Sequence, residues 1–216
     1  EYVATLSLGT STDTYDASGK IIETKEFHAL DNNEIVACFN NFIGSQEQKP
    51  PIYSAVKVNG KKLYEYARAG EQVEVPTRSV TVNHLEILQI ENNLIKFKVG
   101  CSKGTYIRSL CYDLAKALGY PGHMKDLIRT KSGNFSLENC FTLEQIENGE
   151  YTTVSLEEAL NSYQQLVVDD EKIIFHGKKI KSDLNEQVVI LNRQGKVLAM
   201  YGPDGNGYLK SIRGLW

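Results

Sequence analysis

A chain of 216 residues that is 41% hydrophobic can bury one sizeable core, or a main domain plus a small appendage, and no apolar run in it approaches membrane-spanning length. Its formal charge of −3 excludes a protein that binds nucleic acid through uniform positive charge, so any RNA or DNA contact has to come from a local patch. The four cysteines, Cys38, Cys101, Cys111 and Cys140, form no CxxC pair and lie in apolar runs, which speaks against zinc and fits reduced core thiols in a cytoplasmic protein.

The chain opens at Glu1 inside the alternating stretch "EYVATLSLG", where Tyr2, Ala4, Leu6 and Leu8 share one face, as a half-buried strand requires. The strand reads as already under way, so a further segment is expected upstream, and its loss would leave an open sheet edge beside Tyr2. The turn-rich "TSTDTYDASGK" leads to a short strand near Ile21 and Ile22. "DNNEIVACFNNFIG" predicts a helix with Asp31 as N-cap, Glu34 three residues on, and Gly44 as the stop.

Residues 46–78 mix Pro, Gly, Tyr and Lys with little periodicity beyond the short helical "KKLYEYARAG", and read as a long inserted loop. Two strands follow, "SVTVNHLEILQI" and "LIKFKVGC", joined by a turn at Asn92-Asn93. "SKGTYIRSL" then hands over to a helix with Ile107, Leu110, Cys111, Leu114 and Leu118 on one face, ended by Gly119 and Pro121. "FTLEQIENG" and "SLEEAL" predict two short helices, each opened by Thr or Ser with Gln or Glu three residues later. From about Leu166 the chain becomes rich in strand patterns, with a hairpin around Gln194-Gly195.

Three places carry candidate chemistry. Between Gln48 and Arg68 the loop sets Lys49, Lys57, Lys61, Lys62 and Arg68 against one acid, Glu65, with Tyr53, Tyr64 and Tyr66 interleaved. Cations for phosphates beside aromatics for bases are what a single-stranded or loop RNA needs, although a solvated loop with its tyrosines packed down has the same composition. In "SKGTYIRSL" a Gly permits close backbone approach, and Arg108 falls in the first helical turn, where a cation opposes the helix dipole by ~0.3–1 kcal/mol. A carboxylate in a cleft would offset that cost; the alternative is an Arg that reaches solvent or braces a strand. Asp13 and Asp16 are close enough to work as an acid and base pair, but Asp in a turn more often bonds its own backbone. His28, His84, His123 and His176 show no metal-ligand spacing, and no metal is expected.

In order along the chain, "EYVATLSLGTSTDTYDASG", "PPIYSAVKVNGKKLYEYARAG", "CSKGTYIRSLCYDLAKALG" and "HMKDLIRTKSGNF" closely resemble the bacterial tRNA pseudouridine synthases of the TruB type. The resemblance runs from Tyr2 to about Phe141. It implies an α+β fold with a mixed, largely antiparallel sheet and flanking helices, and a synthase domain over residues 1–165 that is incomplete at its N-terminus. Residues 46–78 would be the RNA-binding thumb, and 166–216 a small, β-rich, PUA-like domain. It further implies a monomeric, cytoplasmic, cofactor-free enzyme acting on the T arm of tRNA.

By that resemblance Tyr2 stacks on the flipped uracil, Asp16 belongs to the turn contacting the extruded nucleotide, and Leu127 walls the pocket. Tyr106 and Arg108 line the catalytic pocket, Arg108 pairing with a nucleophilic aspartate. Lys57, Lys61, Lys62, Tyr64, Arg68 and Arg129 are the expected RNA contacts, while Ile128 stands where the family often has arginine. The nucleophile belongs to a G-[TA]-L-D-P motif that this sequence does not contain; "ALDNN" at 29–33 lacks its Gly and Pro. The chain by itself is therefore expected to be inactive, with a non-catalytic RNA-binding protein as the alternative reading.

Overall fold

The computed structural model describes residues 1–215, which divide into two compact units between Cys140 and Phe141. In the first unit β1 (Tyr2–Leu8), β2 (Thr10–Thr12), β3 (Ile21–Thr24), α1 (Asn32–Asn40), β4 (Gly44–Gln48), β5 (Lys57–Val58), β6 (Lys61–Lys62), α2 (Leu63–Ala69), β7 (Arg78–Glu91), β8 (Leu94–Cys101), α3 (Ile107–Ala117), β9 (Gly122–Arg129), β10 (Lys131–Ser132) and β11 (Phe135–Ser136) follow in turn. Five strands form one antiparallel sheet in the order β4-β7-β8-β1-β9, giving the α+β class that the sequence implies.

Alternation along β1 buries Ala4, Leu6 and Leu8 against Ile95, Phe97 and Val99 of β8 and against Ile107, Leu110, Cys111 and Leu114 of α3. Phe39 of α1 meets Phe97 edge-on at 5.4 Å between ring centroids, fixing α1 to the same core. β1 is paired on both sides, by β8 and β9, so the expected open edge beside Tyr2 is not there: the edges are β4 and β9. Asn93 of the β7–β8 turn ties that hairpin to β1, its side-chain amide donating to Leu8 O at 2.7 Å.

Asp31 caps α1 as expected, its Oδ1 accepting the Asn33 N–H at 2.7 Å, but the helix stops at Asn40. Gly44, with φ 113°, instead turns the chain into β4, so residues 46–48 belong to the sheet rather than to a loop. The rest of the predicted loop also has regular structure: a β5–β6 hairpin turning at Asn59-Gly60, then α2, anchored by fully buried Leu63. Gly104 has φ 84° and faces only the Arg78 side chain, so the position requires a backbone conformation rather than close approach. Close approach occurs at Gly100, where the His84 ring fills the space of a Cβ.

In the second unit the two expected short helices are α4 (Leu143–Glu147), capped by Thr142 with Gln145, and α5 (Leu156–Ala159), capped by Ser155. These helices lie upstream of Leu166, so the unit begins earlier than the strand pattern alone indicates. After them come β12 (Gln164–Val167), α6 (Glu171–Phe175), β13 (Ile180–Lys181), β14 (Val188–Leu191), β15 (Val197–Pro203) and β16 (Tyr208–Gly214). The sheet order is β12-β14-β15-β16-β13, with β12–β14 a parallel pair, so the mixed pairing expected of the synthase sheet lies in this unit while the five-stranded sheet of the first unit is antiparallel throughout. Asn192 shapes the predicted hairpin, its Oδ1 accepting the N–H groups of Gln194 and Lys196 at 3.0 and 2.9 Å.

Not every cysteine is a core thiol: Cys111 is buried, Cys38 and Cys101 are partly buried, and Cys140 is exposed. Burial pushes the thiols of Cys38, Cys101 and Cys111 above their ordinary value, and a thiol that stays protonated is a poor nucleophile. Native maleimide labelling followed by peptide mass mapping is expected to find Cys140 modified first and Cys111 last. Cys111 reacting as fast as Cys140 would contradict the core described here.

Candidate active site

The N-terminus of α3 is where the chemistry collects. Tyr106 is the N-cap, and Arg108 follows in the first turn, as the sequence pattern predicts, and is partly buried. Its guanidinium spans two distant loops, Nη1 donating to Thr14 O at 3.1 Å and Nη2 to Tyr53 O at 3.0 Å. A charged donor to a carbonyl is worth ~1.5–3 kcal/mol, so the two bonds outweigh the ~0.3–1 kcal/mol that the helix dipole costs. Among the described residues no carboxylate forms an ion pair with Arg108; its partners are carbonyls.

The turn held by Arg108 is built from its own polar side chains. Asp13 Oδ1 accepts the Lys20 N–H at 2.9 Å, and Asp16 Oδ1 accepts the N–H and hydroxyl of Ser18 at 3.0 and 2.9 Å. Both carboxylates therefore serve the turn, which disposes of the acid and base pairing. The turn docks on β9 through Met124, whose N–H donates to Tyr15 O and whose carbonyl accepts the Ala17 N–H, both at 3.0 Å. Tyr15 sits at φ 59°, an uncommon conformation for a bulky residue, and its ring stacks on Tyr112 of α3 at 4.2 Å. Neither ring was singled out from the sequence, because no periodic signal links a turn tyrosine to a helix 97 residues away.

Burial raises the Asp113 carboxyl to about 6, with Lys116 pulling the other way, and the hydroxyl of Tyr15 is raised by burial and by its neighbours Tyr112 and Asp113. On the other side of α3, Gln48 at the end of β4 bonds Tyr106, and the Ser109 hydroxyl donates to Lys49 O at 2.7 Å. Arg78 lies 5.8 Å from the centre of the Tyr106 ring.

A second group forms at one end of β1 and β9. Tyr2 pairs across the sheet with Arg129, whose guanidinium lies 5.3 Å from its ring centre, and Leu127, two residues along, is exposed beside Ala4. Ile128 is exposed as well. No hydrogen bond, ion pair or ring contact among the described residues joins Tyr2 and Arg129 to Tyr106 and Arg108, though Tyr2 packs on the same core as Ile107 of α3.

The 46–78 segment keeps its cations near its own rings. Tyr64 has Lys62 Nζ at 5.4 Å and Arg68 at 5.3 Å from its centre, and Lys61 Nζ is 4.6 Å from the centre of Tyr66. Lys61 also pairs with Glu71 at 2.7 Å, an acid just beyond the window in which the sequence counted a single negative charge. That acid, Glu65, accepts the Lys62 N–H and so closes the start of α2. Lys57 is exposed on β5. No group of three or more His, Cys, Asp or Glu among the described residues is arranged to hold a metal ion.

Comparison with known proteins adds to this geometry. Residues 1–107 match the model of the TruB family pseudouridylate synthase N-terminal domain, and residues 108–168 that of the tRNA pseudouridylate synthase B C-terminal domain. The chain is 43% identical to tRNA pseudouridine synthase B of Oceanobacillus iheyensis over 229 residues and 40% identical to that of Bacillus anthracis over 232, in each case 98% of this chain and 76% of the relative. Among solved structures it resembles a chain of the Cbf5-Nop10-Gar1 complex with a TM-score of 0.67 and 21% identity, over 100% of this chain and 65% of that one. A chain of the H/ACA RNP bound to a substrate RNA containing 2'-deoxyuridine gives 0.63 and 19%, over 99% and 64%. At these identities the structural likeness shows the fold alone.

The Asp113 carboxyl gives the site region a pH signature. Because its folded-state value lies above the ordinary 3.8, the folded state favours the protonated form, and stability is lost as pH rises from about 4 through about 6. Asp113→Asn removes that penalty. Its melting temperature is expected to exceed the wild type's by ~2–4 °C at neutral pH, with the difference vanishing in acid. A difference independent of pH would show that burial does not shift this carboxyl.

Proposed function

The chain belongs to the TruB family of pseudouridylate synthases, and we propose that it isomerises uridine 55 in the T loop of tRNA to pseudouridine. The observation that carries this reading is the Arg108 fork, which draws the Thr14 turn and the base of the thumb onto one helix end. That gathers, at one place, the segments that the resemblance assigns to the extruded nucleotide, the catalytic pocket and the T arm.

On this reading the uridine leaves its stack at a cost of a few kcal/mol, offset by stacking on Tyr2, whose ring Arg129 braces. Asp16 stiffens the turn that contacts the extruded nucleotide, and Leu127 supplies apolar wall. Arg108 has five N–H donors, two of which are engaged by carbonyls, so its fork can also orient a carboxylate. That carboxylate adds to the nucleoside as the bond between ribose and the ring nitrogen breaks. The uracil turns and bonds the ribose through carbon, the aspartate is released, and that carbon's proton is lost while the freed nitrogen gains one.

On this reading the attacking aspartate is the one that the family carries in a G-[TA]-L-D-P motif, which these 216 residues do not contain. Lys57, Lys61, Lys62, Tyr64 and Arg68 of the thumb meet the T arm, and the second unit adds a PUA-type RNA contact. The enzyme works as a cytoplasmic monomer without cofactor or metal.

The test is to incubate unmodified tRNA with this chain, with the full-length protein and with full-length Arg108→Lys, and to assay the T loop for pseudouridine. Product is expected from the full-length protein alone at the wild-type rate. Arg108→Lys should lose roughly 100-fold in kcat/KM, since a point charge cannot replace a planar fork that serves two carbonyls and an acid. Wild-type turnover in Arg108→Lys would refute the role of the fork. Product from this chain alone would place the nucleophile among these residues, and no product from any version would favour a non-catalytic RNA-binding protein.

A further inference from the structure

Gln48 has no part in the reading above, yet its side chain is wholly committed to the candidate site. It ends the edge strand β4 and is 2% exposed. Its amide makes two bonds to a single residue, Oε1 accepting the Tyr106 N–H at 2.8 Å and Nε2 donating to Tyr106 O at 3.1 Å. A side-chain amide used in this way copies one rung of a β-ladder, satisfying a donor and an acceptor of the same peptide backbone. The next residue, Lys49, has its carbonyl taken by Ser109 at 2.7 Å, and Tyr53 follows with its carbonyl on Arg108. The first residues of the thumb are thus fastened, one after another, along Tyr106, Arg108 and Ser109.

We propose that Gln48 is a positioning residue for the reaction: by fixing the backbone of Tyr106, the N-cap of α3, it sets the placement of the Tyr106 ring and of the Arg108 fork relative to the thumb. The inference rests on the functional reading given above. A side chain that merely filled space here would not need a donor and an acceptor aimed at one residue. An ionised carboxylate supplies only acceptors, so the pairing depends on the amide.

The test uses Gln48→Met and Gln48→Glu in the full-length enzyme. Methionine keeps the volume and loses both bonds, and kcat should fall roughly tenfold, with KM for tRNA changing less than about threefold, as expected when an interaction orients reacting groups rather than binding substrate. The glutamate variant adds a readout that simple packing would not move. Protonated, the new side chain can donate and accept as Gln48 does; ionised, it confronts Tyr106 O with a second acceptor. Burial raises its titration point towards neutrality. Relative to wild type, its kcat should be near normal at about pH 5.5 and fall roughly tenfold by about pH 8.5, and the backbone amide signal of Tyr106 in ¹⁵N-tyrosine-labelled protein should follow the same titration.

A Gln48→Met enzyme with wild-type kcat and a lower melting temperature would reduce Gln48 to a packing residue and overturn the proposal. If that variant does not fold, a Gln48→Glu enzyme whose relative kcat is flat with pH overturns it instead. A wild-type enzyme that forms no pseudouridine overturns the parent reading and the catalytic role with it, whereas failure in the variants alone touches only Gln48.

Discussion

One guanidinium joins two remote segments at the candidate site. Arg108 donates to carbonyls of residues 94 and 55 positions away in the chain, bonding the Thr14 turn and the base of the thumb with one side chain, beside the Ser109–Lys49 bond and the Tyr15–Tyr112 stack that also reach α3. The location is electrostatically awkward for a cation, since the first turn of a helix presents its unpaired N–H groups and the positive end of its dipole. Two carbonyl dipoles reverse that balance. The same arrangement leaves a fork with unused donors, which is what a carboxylate would need to be held in one orientation.

Around this point the structure uses side chains for work that backbone ladders do elsewhere. Gln48 extends the sheet edge to Tyr106, Asp13 and Asp16 close their own turn, and Tyr15 and Tyr112 stack the turn onto the helix. The thumb follows another logic. Its cations rest on Tyr64, Tyr66 and Glu71 in contacts worth ~0.5–1 kcal/mol each.

Much of this was legible in the sequence where periodicity or capping chemistry speaks. The alternation of β1, the apolar face of α3 through Leu114, and the Asp31, Thr142 and Ser155 caps all follow from local rules, whereas the inward Arg108 came from the family resemblance. What escaped depends on partners remote in sequence. Gln48 looks like one more polar residue in "SQEQKPP", and only the β4–β7 pairing shows that it is buried. The extent of α1 was overread because Gly44 serves a strand entry rather than a helix end. The edge of the sheet was misplaced because pairing of β9 with β1 is a long-range choice that no local pattern records. The positive charge of the thumb was overstated because its neutralising partner, Glu71, lies beyond α2.

The account stands on Arg108 gathering two segments at once, and hydrogen–deuterium exchange of wild type against Arg108→Ala measures this most directly. Loss of both carbonyl bonds should speed exchange together in residues 13–19 and 48–56, while the α1 and β8 amides in the core stay protected. Faster exchange in only one of the two segments, or in neither, would contradict the claim that Arg108 ties both of them to α3.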